Sequence, residues 1–239
     1  MSVLAHVFER EGLATTLVAL VYGHAEGQKP PRAVWVPYWY GRTFGAPNEP
    51  GLQMRVLRAA LDLFDRPSRP VLECFEEDAP ATPDPDGWSP PFDLQPVDQT
   101  LSNADLADRL ERDVATLIPL HKKAVEAHSW TLVGLSGRPL GEVASIFGDY
   151  LRNGPGEAIP KRERAHVIKY GSQELTDAFG QTAAHLGGDA PFAIRRWYWT
   201  QSSMGLAMRR LQDLLPADSD AKTRLIAEHG LFVPREWKL

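Results

Sequence analysis

Residues 15–21 (TTLVALV) limit the possible folds more than any other part of the sequence, because every side chain in this run is β-branched or apolar. Such an unbroken run is typical of a strand buried on both faces, as in a parallel sheet covered by helices. After Pro30 and Pro31, which break regular structure, residues 32–37 (RAVWVP) predict a second strand. The chain is therefore expected to open with an α/β layer.

Helices are predicted around these strands. A helix over residues 3–11 places four apolar side chains on one face, those of Val3, Leu4, Val7 and Phe8. Residues 52–64 predict a second amphipathic helix. Because two strands alone do not make a stable sheet, we expect a further strand. It is supplied either by residues 70–76 (PVLECFE) or by another chain.

The second half of the chain carries a different pattern. Residues 78–100 are dense in proline and aspartate and predict an irregular linker. Ser102 and Asp105 then form a capping-box pattern, and the apolar spacing becomes helical. Further helices are predicted over 140–152, 161–186, 192–215 and 219–229. The expected fold is a small, mainly parallel α/β unit with flanking helices over residues 1–77, followed after the linker by a mostly α-helical domain over residues 101–239.

The composition argues against several classes of protein. A net charge of −5 gives no electrostatic footprint for nucleic acid or for an anionic membrane. No apolar run approaches the length of about 20 residues that spans a bilayer, and the N-terminus lacks the basic region of a signal peptide. The single cysteine, Cys74, fits a reducing compartment, so we expect a cytoplasmic protein. Between Leu72 and Phe75 it is predicted to be a small buried hydrophobe, with a reactive thiol as the alternative.

The loop after the second predicted strand is the best candidate for a binding site. Ligands of open α/β sheets bind beyond the carboxyl ends of strands, and this loop leaves such an end. We predict ligand contacts from six of its residues: Trp39, Tyr40, Gly41, Arg42, Gly45 and Asn48. The guanidinium of Arg42 is expected to pair with an anionic group of the ligand, and the rings of Trp39 and Tyr40 are expected to line the pocket. The alternative is that the glycines and prolines only shape a long turn while the aromatic rings pack onto the helical half.

Other patterns in the sequence resemble chemical motifs and also have structural explanations. The glycine-rich phosphate loops are absent from the sequence. Residues 134–138 (GLSGR) miss the spacing of a nucleophile elbow by one position. Four histidines on predicted helices form a possible metal set, with exposed or hydrogen-bonded histidines as the alternative: His121, His128, His166 and His185. The first two lie about 10.5 Å apart along one helix, too far to chelate a metal together.

A set of residues in the front part of the chain carries a family resemblance. The set comprises Glu9-x-x-Gly12-Leu13-x-Thr15, Pro31-Arg32-Ala33, Val36-Pro37, Gly41, Gly45-x-Pro47 and Gln53. Over residues 2–75 the chain resembles the B-type subunits of glycine, sarcosine and betaine reductase and of D-proline reductase, the selenoprotein B-like family. The resemblance implies an α/β fold and reductive cleavage of a C–N bond by a selenol.

The resemblance does not extend to the redox centre of that family. There, a segment bearing selenocysteine or cysteine precedes the helix with which this chain opens, and Met1 stands where that segment would end. No cysteine of this sequence aligns with the centre, because Cys74 lies downstream of it. We therefore expect the family's fold and ligand loop without its redox chemistry.

Three functions remain as alternatives. The first is a non-redox relative of those subunits, an enzyme or an accessory subunit, that binds a small anionic, amino-acid-like ligand at the loop. The second is an interaction or structural subunit, either a homodimer or a chain that completes its sheet with a partner. The third is a metal-dependent enzyme that uses histidines of the helical half. The sequence assigns no cofactor, metal or catalytic residue.

Overall fold

The computed structural model describes residues 1–38, 41–77, 87–156, 159–188, 190–228 and Val233. The chain divides into two compact units, Met1–Thr82 and Pro83–Leu239. The first is built around a small parallel sheet and the second is helical, so the predicted fold class is confirmed. Among the described residues, no helix combines the length and apolar character that crossing a bilayer requires.

The first unit, called the α/β unit below, alternates helices and strands. Its elements are α1 (Ser2–Arg10), β1 (Leu17–Ala19), α2 (Tyr22–Gln28), β2 (Arg32–Trp35), α3 (Pro50–Asp62) and β3 (Val71–Cys74). The strands lie in the order β1-β2-β3, and both pairs are parallel. The further strand that the sequence requires is therefore supplied by this chain. Helix α2 was not predicted, because its seven residues include two glycines and bury only Ala25.

Helix α3 covers one face of the sheet. Val34 and Val36 alternate along the chain and so point to the same side of the sheet. They pack in two small clusters against positions of helical spacing on α3 and just after it, Leu52, Val56, Ala60 and Leu63. The sheet is thus attached to α3 by a short row of aliphatic contacts.

The amino ends of the three strands are joined through one carboxylate, that of Glu9. Its Oε1 accepts hydrogen bonds from the backbone N of Thr15 at 2.7 Å and from Nη1 of Arg32 at 2.7 Å, and Oε2 accepts from Arg69. Burial by itself would raise the pKa of Glu9, but the hydrogen bonds from Thr15 and the charges of both arginines hold that pKa below its usual value. Part of the family-like motif, Glu9 with Thr15 and Arg32, is therefore a structural tie at the amino edge of the sheet.

The second unit, called the helical unit below, consists of six α-helices among the described residues. They are α4 (Asn103–His128), α5 (Leu140–Asn153), α6 (Lys161–Gly187), α7 (Pro191–Gln201), α8 (Ser203–Leu214) and α9 (Ala221–Glu228). Residues 87–102 form no helix or strand, but Leu94 and Val97 from this segment are buried in the helical core.

The single helix predicted over residues 192–215 is divided at Ser202. The two helices approach so closely at their junction that a Cβ on Gly205 would lie 2.1 Å from the carbonyl oxygen of Tyr198. Ser202 is extended and caps α8 by accepting a hydrogen bond from the backbone N of Gly205 at 2.9 Å. Apolar periodicity continues across the break, so it did not reveal the corner.

A buried ion pair joins three parts of the helical unit. Arg164 on α6 donates to Asp218 at 2.8 Å, and Tyr150 on α5 donates its hydroxyl to the other oxygen of Asp218 at 3.1 Å. The side chains of Arg164 and Asp218 are 3% and 0% exposed. Asp218 precedes α9, so this contact fixes the last described helix to the bundle.

Candidate functional site

The loop that leaves β2 is held in shape by its own backbone and by α3. The backbone N of Gly45 donates to the carbonyl oxygen of Arg42 at 2.9 Å, and Nε2 of Gln53 donates to the carbonyl oxygen of Ala46 at 3.0 Å. Gly45 has a φ of +93°, and a Cβ at this position would lie 2.6 Å from Cδ2 of Leu52. The backbone angle favours glycine here, and a side chain would also require Leu52 to shift.

A cavity of about 550 Å³ opens beside this loop, and it is called the carboxyl-edge cavity below. Its lining consists of Gly41, Arg42, Thr43, Phe44, Gly45, Pro47 and Gln53. Among these described residues Arg42 is the one charged side chain, and it is half-buried. Three of the predicted ligand residues, Gly41, Arg42 and Gly45, are thus brought together.

The other three predicted ligand residues stand apart from that lining. Trp39 and Tyr40 lie outside the described residues. Asn48 is exposed, with a φ of 60°, and does not line the carboxyl-edge cavity. Its left-handed backbone angle, which Asn tolerates better than most residues, makes it a turn residue.

The carboxyl ends of β2 and β3 are tied together next to this loop. Tyr38 donates its hydroxyl to the carbonyl oxygen of Glu77 at 2.9 Å, and the side chain of Glu77 pairs with Arg55 on α3. Cys74 is the last residue of β3 and is exposed, so the prediction of a buried cysteine is wrong. The apolar neighbours in sequence misled that prediction, because Cys74 ends a strand at the margin of the sheet.

The helical unit contains a second cavity, of about 590 Å³, called the helical cavity below. Its lining comes mainly from the C-terminal half of α6, from α7 and from residues around the end of α4, including His128, Trp130, Asp177, Phe179, Gln181, His185, Arg195 and Tyr198. A cavity of this size with an apolar, aromatic lining and a few polar groups has the usual features of a small-molecule site.

Two polar groups in the helical cavity lack partners among the described residues. They are Oδ2 of Asp177 and the hydroxyl of Tyr198, both fully shielded from solvent. Burial, helped by the negative charge of Glu174, raises the pKa of Asp177 to about 6. Thr176 lies beside the phenol and works against the rise in the pKa of Tyr198 that burial causes, and its own hydroxyl donates to the carbonyl oxygen of Ser172 at 3.0 Å.

Comparison of the chain with protein-family models, with curated proteins and with solved structures finds no match. The family resemblance therefore stays a prediction that rests on the motif residues themselves. The two cavities and their side chains are the basis for any functional assignment.

The four histidines considered as metal ligands are not gathered at one place. His128 and His185 meet, with Nε2 and Nδ1 3.2 Å apart, at the rim of the helical cavity. His121 instead contacts Gln181 at 3.1 Å, and His166 contacts the carbonyl oxygen of Leu135 at 2.8 Å. Within the described part of the chain, no group of three or more His, Cys, Asp or Glu side chains is placed to hold a metal ion.

Ser136, within the segment that resembles a nucleophile elbow, is occupied by a structural contact. Its hydroxyl donates to Oε2 of Glu174 at 2.6 Å, and its backbone N donates to Oε1 of the same carboxylate at 2.6 Å. The backbone N of Gly134 donates to Oε1 as well, at 2.8 Å. The buried carboxylate of Glu174 thus holds this loop onto α6 and leaves Ser136 in a structural role.

Sequence reasoning missed the helical cavity, although α6 carried a signal for it. Asp177, Gly180 and Ala184 recur at helical spacing, which places a carboxylate and two small residues on one face. Small residues leave room beside a helix, and a Cβ added to Gly180 would meet no atom within 4 Å. The facing phenol of Tyr198 comes from α7, which ends at the corner at Ser202 that the sequence did not reveal.

Proposed function

We propose that this chain is a non-redox small-molecule-binding protein whose α/β unit takes a carboxylate-bearing, amino-acid-like ligand in the carboxyl-edge cavity. The observation that carries the proposal is the position of Arg42, the one ionic side chain among the described lining residues. A guanidinium offers a forked pair of donors that matches a carboxylate.

The topology of the sheet supports a ligand site at the carboxyl-edge cavity. Parallel strands β2 and β3 end on the same side of the sheet, and ligands of open α/β sheets bind beyond such ends. The amino edge is occupied by the tie through Glu9, whereas the carboxyl edge carries the loop and its cavity. The hydrogen bond from Gln53 to Ala46 keeps the loop in one conformation, which lowers the entropy lost on binding.

Calorimetry with glycine, N-methylglycine, trimethylglycine and proline tests the proposal. We expect one or more of these to bind, and Arg42→Ala to weaken binding at least tenfold, while Arg42→Lys retains part of it because the charge remains without the fork. The matched control is Arg58→Ala on the exposed side of α3, which should bind like the parent chain. Absence of binding by all four compounds, or an unchanged affinity in Arg42→Ala, contradicts the proposal.

We further propose, as a second candidate function, that the α/β unit pairs with a second copy of the chain. The outer side of α3 exposes Met54, Leu57 and Leu61 at helical spacing, and Phe64 follows them. Arg58 and Asp62 lie exposed along the same helix, so both signs of charge are available on this side. A two-fold dimer needs a surface that complements itself, and an apolar stripe flanked by both signs meets that need.

Sedimentation velocity across a concentration series tests the second candidate. We expect a concentration-dependent dimer that Leu57→Glu together with Leu61→Glu converts to monomer. Leu225→Glu on α9 is the matched control, because Leu225 is also exposed and lies in the other unit. A monomer at all concentrations, or a dimer that survives the double substitution, contradicts this candidate.

A further inference from the structure

The helical cavity places two unpartnered polar atoms on neighbouring helices. Asp177 projects from α6 and Tyr198 from α7, and both line the cavity. Tyr198 is 1% exposed, and neither its hydroxyl nor Oδ2 of Asp177 has a hydrogen-bond partner among the described residues. Buried polar atoms are almost always satisfied in native proteins, so an unsatisfied pair on residues that line a cavity points to a place where the donors of a ligand would be stabilised.

The hydrogen-bonding chemistry of Asp177 and Tyr198 limits the class of ligand that fits the helical cavity. An ionised carboxylate only accepts hydrogen bonds, and a phenol oxygen accepts as well as donates. A protonated amine carries several donors on one atom, so a single ammonium group satisfies both acceptors at once. Aromatic rings of Trp130, Phe179 and Tyr198 border the same space, and ring faces attract cations.

The charges around Asp177 favour a cationic group. Glu174 on the same helix adds negative potential, and the pKa of Asp177 is raised rather than lowered. A guanidinium close to the carboxylate would have lowered it, so Arg195 of α7, although it lines the cavity, does not neutralise Asp177. His128 of α4 and His185 of α6 face each other at the rim.

We propose that the helical cavity is a binding site for a small amine with an apolar, ring-sized body, in which Asp177 pairs with the ammonium group. Tyr198 accepts a second hydrogen bond from that group, and the aromatic lining holds the body. The cavity volume of about 590 Å³ suits an aryl-alkyl amine. This site lies in the helical unit and is independent of the function proposed for the α/β unit.

Calorimetry with the full chain at pH 8 tests the proposal with three probes of similar shape: 2-phenylethylamine, 2-phenylethanol and 3-phenylpropionate. We expect the amine to bind at least tenfold more tightly than the alcohol and the acid. Asp177→Asn should weaken amine binding at least tenfold, and Tyr198→Phe about threefold. Asp213→Asn, an exposed carboxylate on α8, is the matched control and should bind like the parent chain.

The pH dependence adds a readout that shape alone does not produce. Amine affinity should fall about tenfold per pH unit below pH 6 as Asp177 becomes protonated, and Asp177→Asn should lose that slope. A slope that persists in Asp177→Asn assigns the pH effect to another group and overturns the role of Asp177.

Three outcomes overturn the proposal: no binding of the amine, equal binding of the amine and the alcohol, and stronger binding of the acid. The comparison of probes uses the parent chain, so it decides the matter even where a variant fails to fold. Circular dichroism of each variant separates loss of folding from loss of binding.

Discussion

The two units of this chain differ in how they are held together. The helical unit buries one continuous core that includes Tyr150, Phe147, Phe179 and Tyr198. The α/β unit has two small aliphatic clusters and gains much of its order from ionic and hydrogen-bonded ties, above all through Glu9. Most of the large apolar side chains exposed among the described residues belong to the α/β unit.

This contrast teaches that the same chain uses two sources of stability. Burial of apolar area stabilises by about 25 cal/mol per Å² and is insensitive to pH. A carboxylate tie depends on ionisation and is lost in acid. The α/β unit, with its small apolar clusters, is therefore expected to depend more on its carboxylate ties than the helical unit, whose buried pair of Arg164 and Asp218 lies within a large apolar core.

The largest expected effect comes from removing the charge partner of the buried arginine in the helical unit. Asp218→Ala leaves Arg164 buried without its partner and removes the acceptor of the Tyr150 hydroxyl. We expect the free energy of unfolding to fall by about 3–5 kcal/mol, measured by urea denaturation. Asp213→Ala is the exposed control. A loss below about 1 kcal/mol would show that the helical core tolerates the orphaned charge and would contradict this prediction.

A smaller and more local loss is expected in the α/β unit from Glu9→Gln. The substitution removes the charge that pairs with Arg32 and Arg69, and we expect a loss of about 2 kcal/mol. Hydrogen exchange is the measurement, and the amides of β1 and β2 should lose protection while those of α6 keep theirs. Equal loss in both units would contradict the separation of the two sources of stability.

The contacts of the Glu9 carboxylate also predict how the stability of the α/β unit depends on pH. The pKa of Glu9 is lowered in the folded chain, so its stabilisation is complete above the usual glutamate pKa of about 4.3 and is lost as the pH falls through the lower folded value. Protection of the β1 and β2 amides should therefore decline in acid before that of the helical unit. In Glu9→Gln the decline should be absent.

For Asp177 we expect stability to depend on pH in the opposite direction. Its pKa is raised to about 6 in the folded chain, so its charged form destabilises the fold above that pH, and the cost disappears as the pH falls below about 4. Asp177→Asn should therefore stabilise the free chain by about 1 kcal/mol at pH 8, after allowance for solvent screening, and by nothing at pH 4. A thermal unfolding series at both pH values checks this. Destabilisation at pH 8 would mean that the carboxylate has a structural partner.

The smallest effect is expected at Cys74. Because the residue is exposed at the end of β3, Cys74→Ser should change the free energy of unfolding by less than about 0.5 kcal/mol. In the native chain the thiol should react with a maleimide reagent almost as fast as in the urea-unfolded chain. Slow labelling in the native state would show that a partner or a second copy covers this edge.

The elements that sequence reasoning found are those with a strong local signal. The unbroken apolar run predicted β1, but the expectation of a strand buried on both faces is wrong, because β1 lies at the edge of the sheet and its residues are only half-buried. The helical periodicity predicted α3, and the pair of Ser102 and Asp105 predicted the start of α4, where Ser102 accepts from the backbone N of Asp105 at 3.1 Å. The short helix α2 was missed because its glycines oppose helical propensity and only tertiary packing holds it.

In the candidate sites too, sequence reasoning found the residues with a local signal and missed those that tertiary packing brings together. Gly41, Arg42 and Gly45 were predicted because a loop after a buried strand has a position that topology fixes. Asp177 and Tyr198 are 21 positions apart on different helices, and their meeting depends on how α7 packs against α6. Periodicity says which face of a helix is apolar, but it does not say which other helix supplies the facing side chain.

The corner between α7 and α8 bears on how selective the helical cavity is. Ser202 donates to the carbonyl oxygen of Tyr198 at 2.6 Å at the end of α7, and Ser203 at the start of α8 donates to Asp113 on α4 at 2.7 Å. Because α8 begins directly after α7, the bond from Ser203 to Asp113 limits how far the end of α7 moves away from α4. We therefore expect the helical cavity to keep a fixed width, so that affinity for the proposed amine falls sharply once its body exceeds that width.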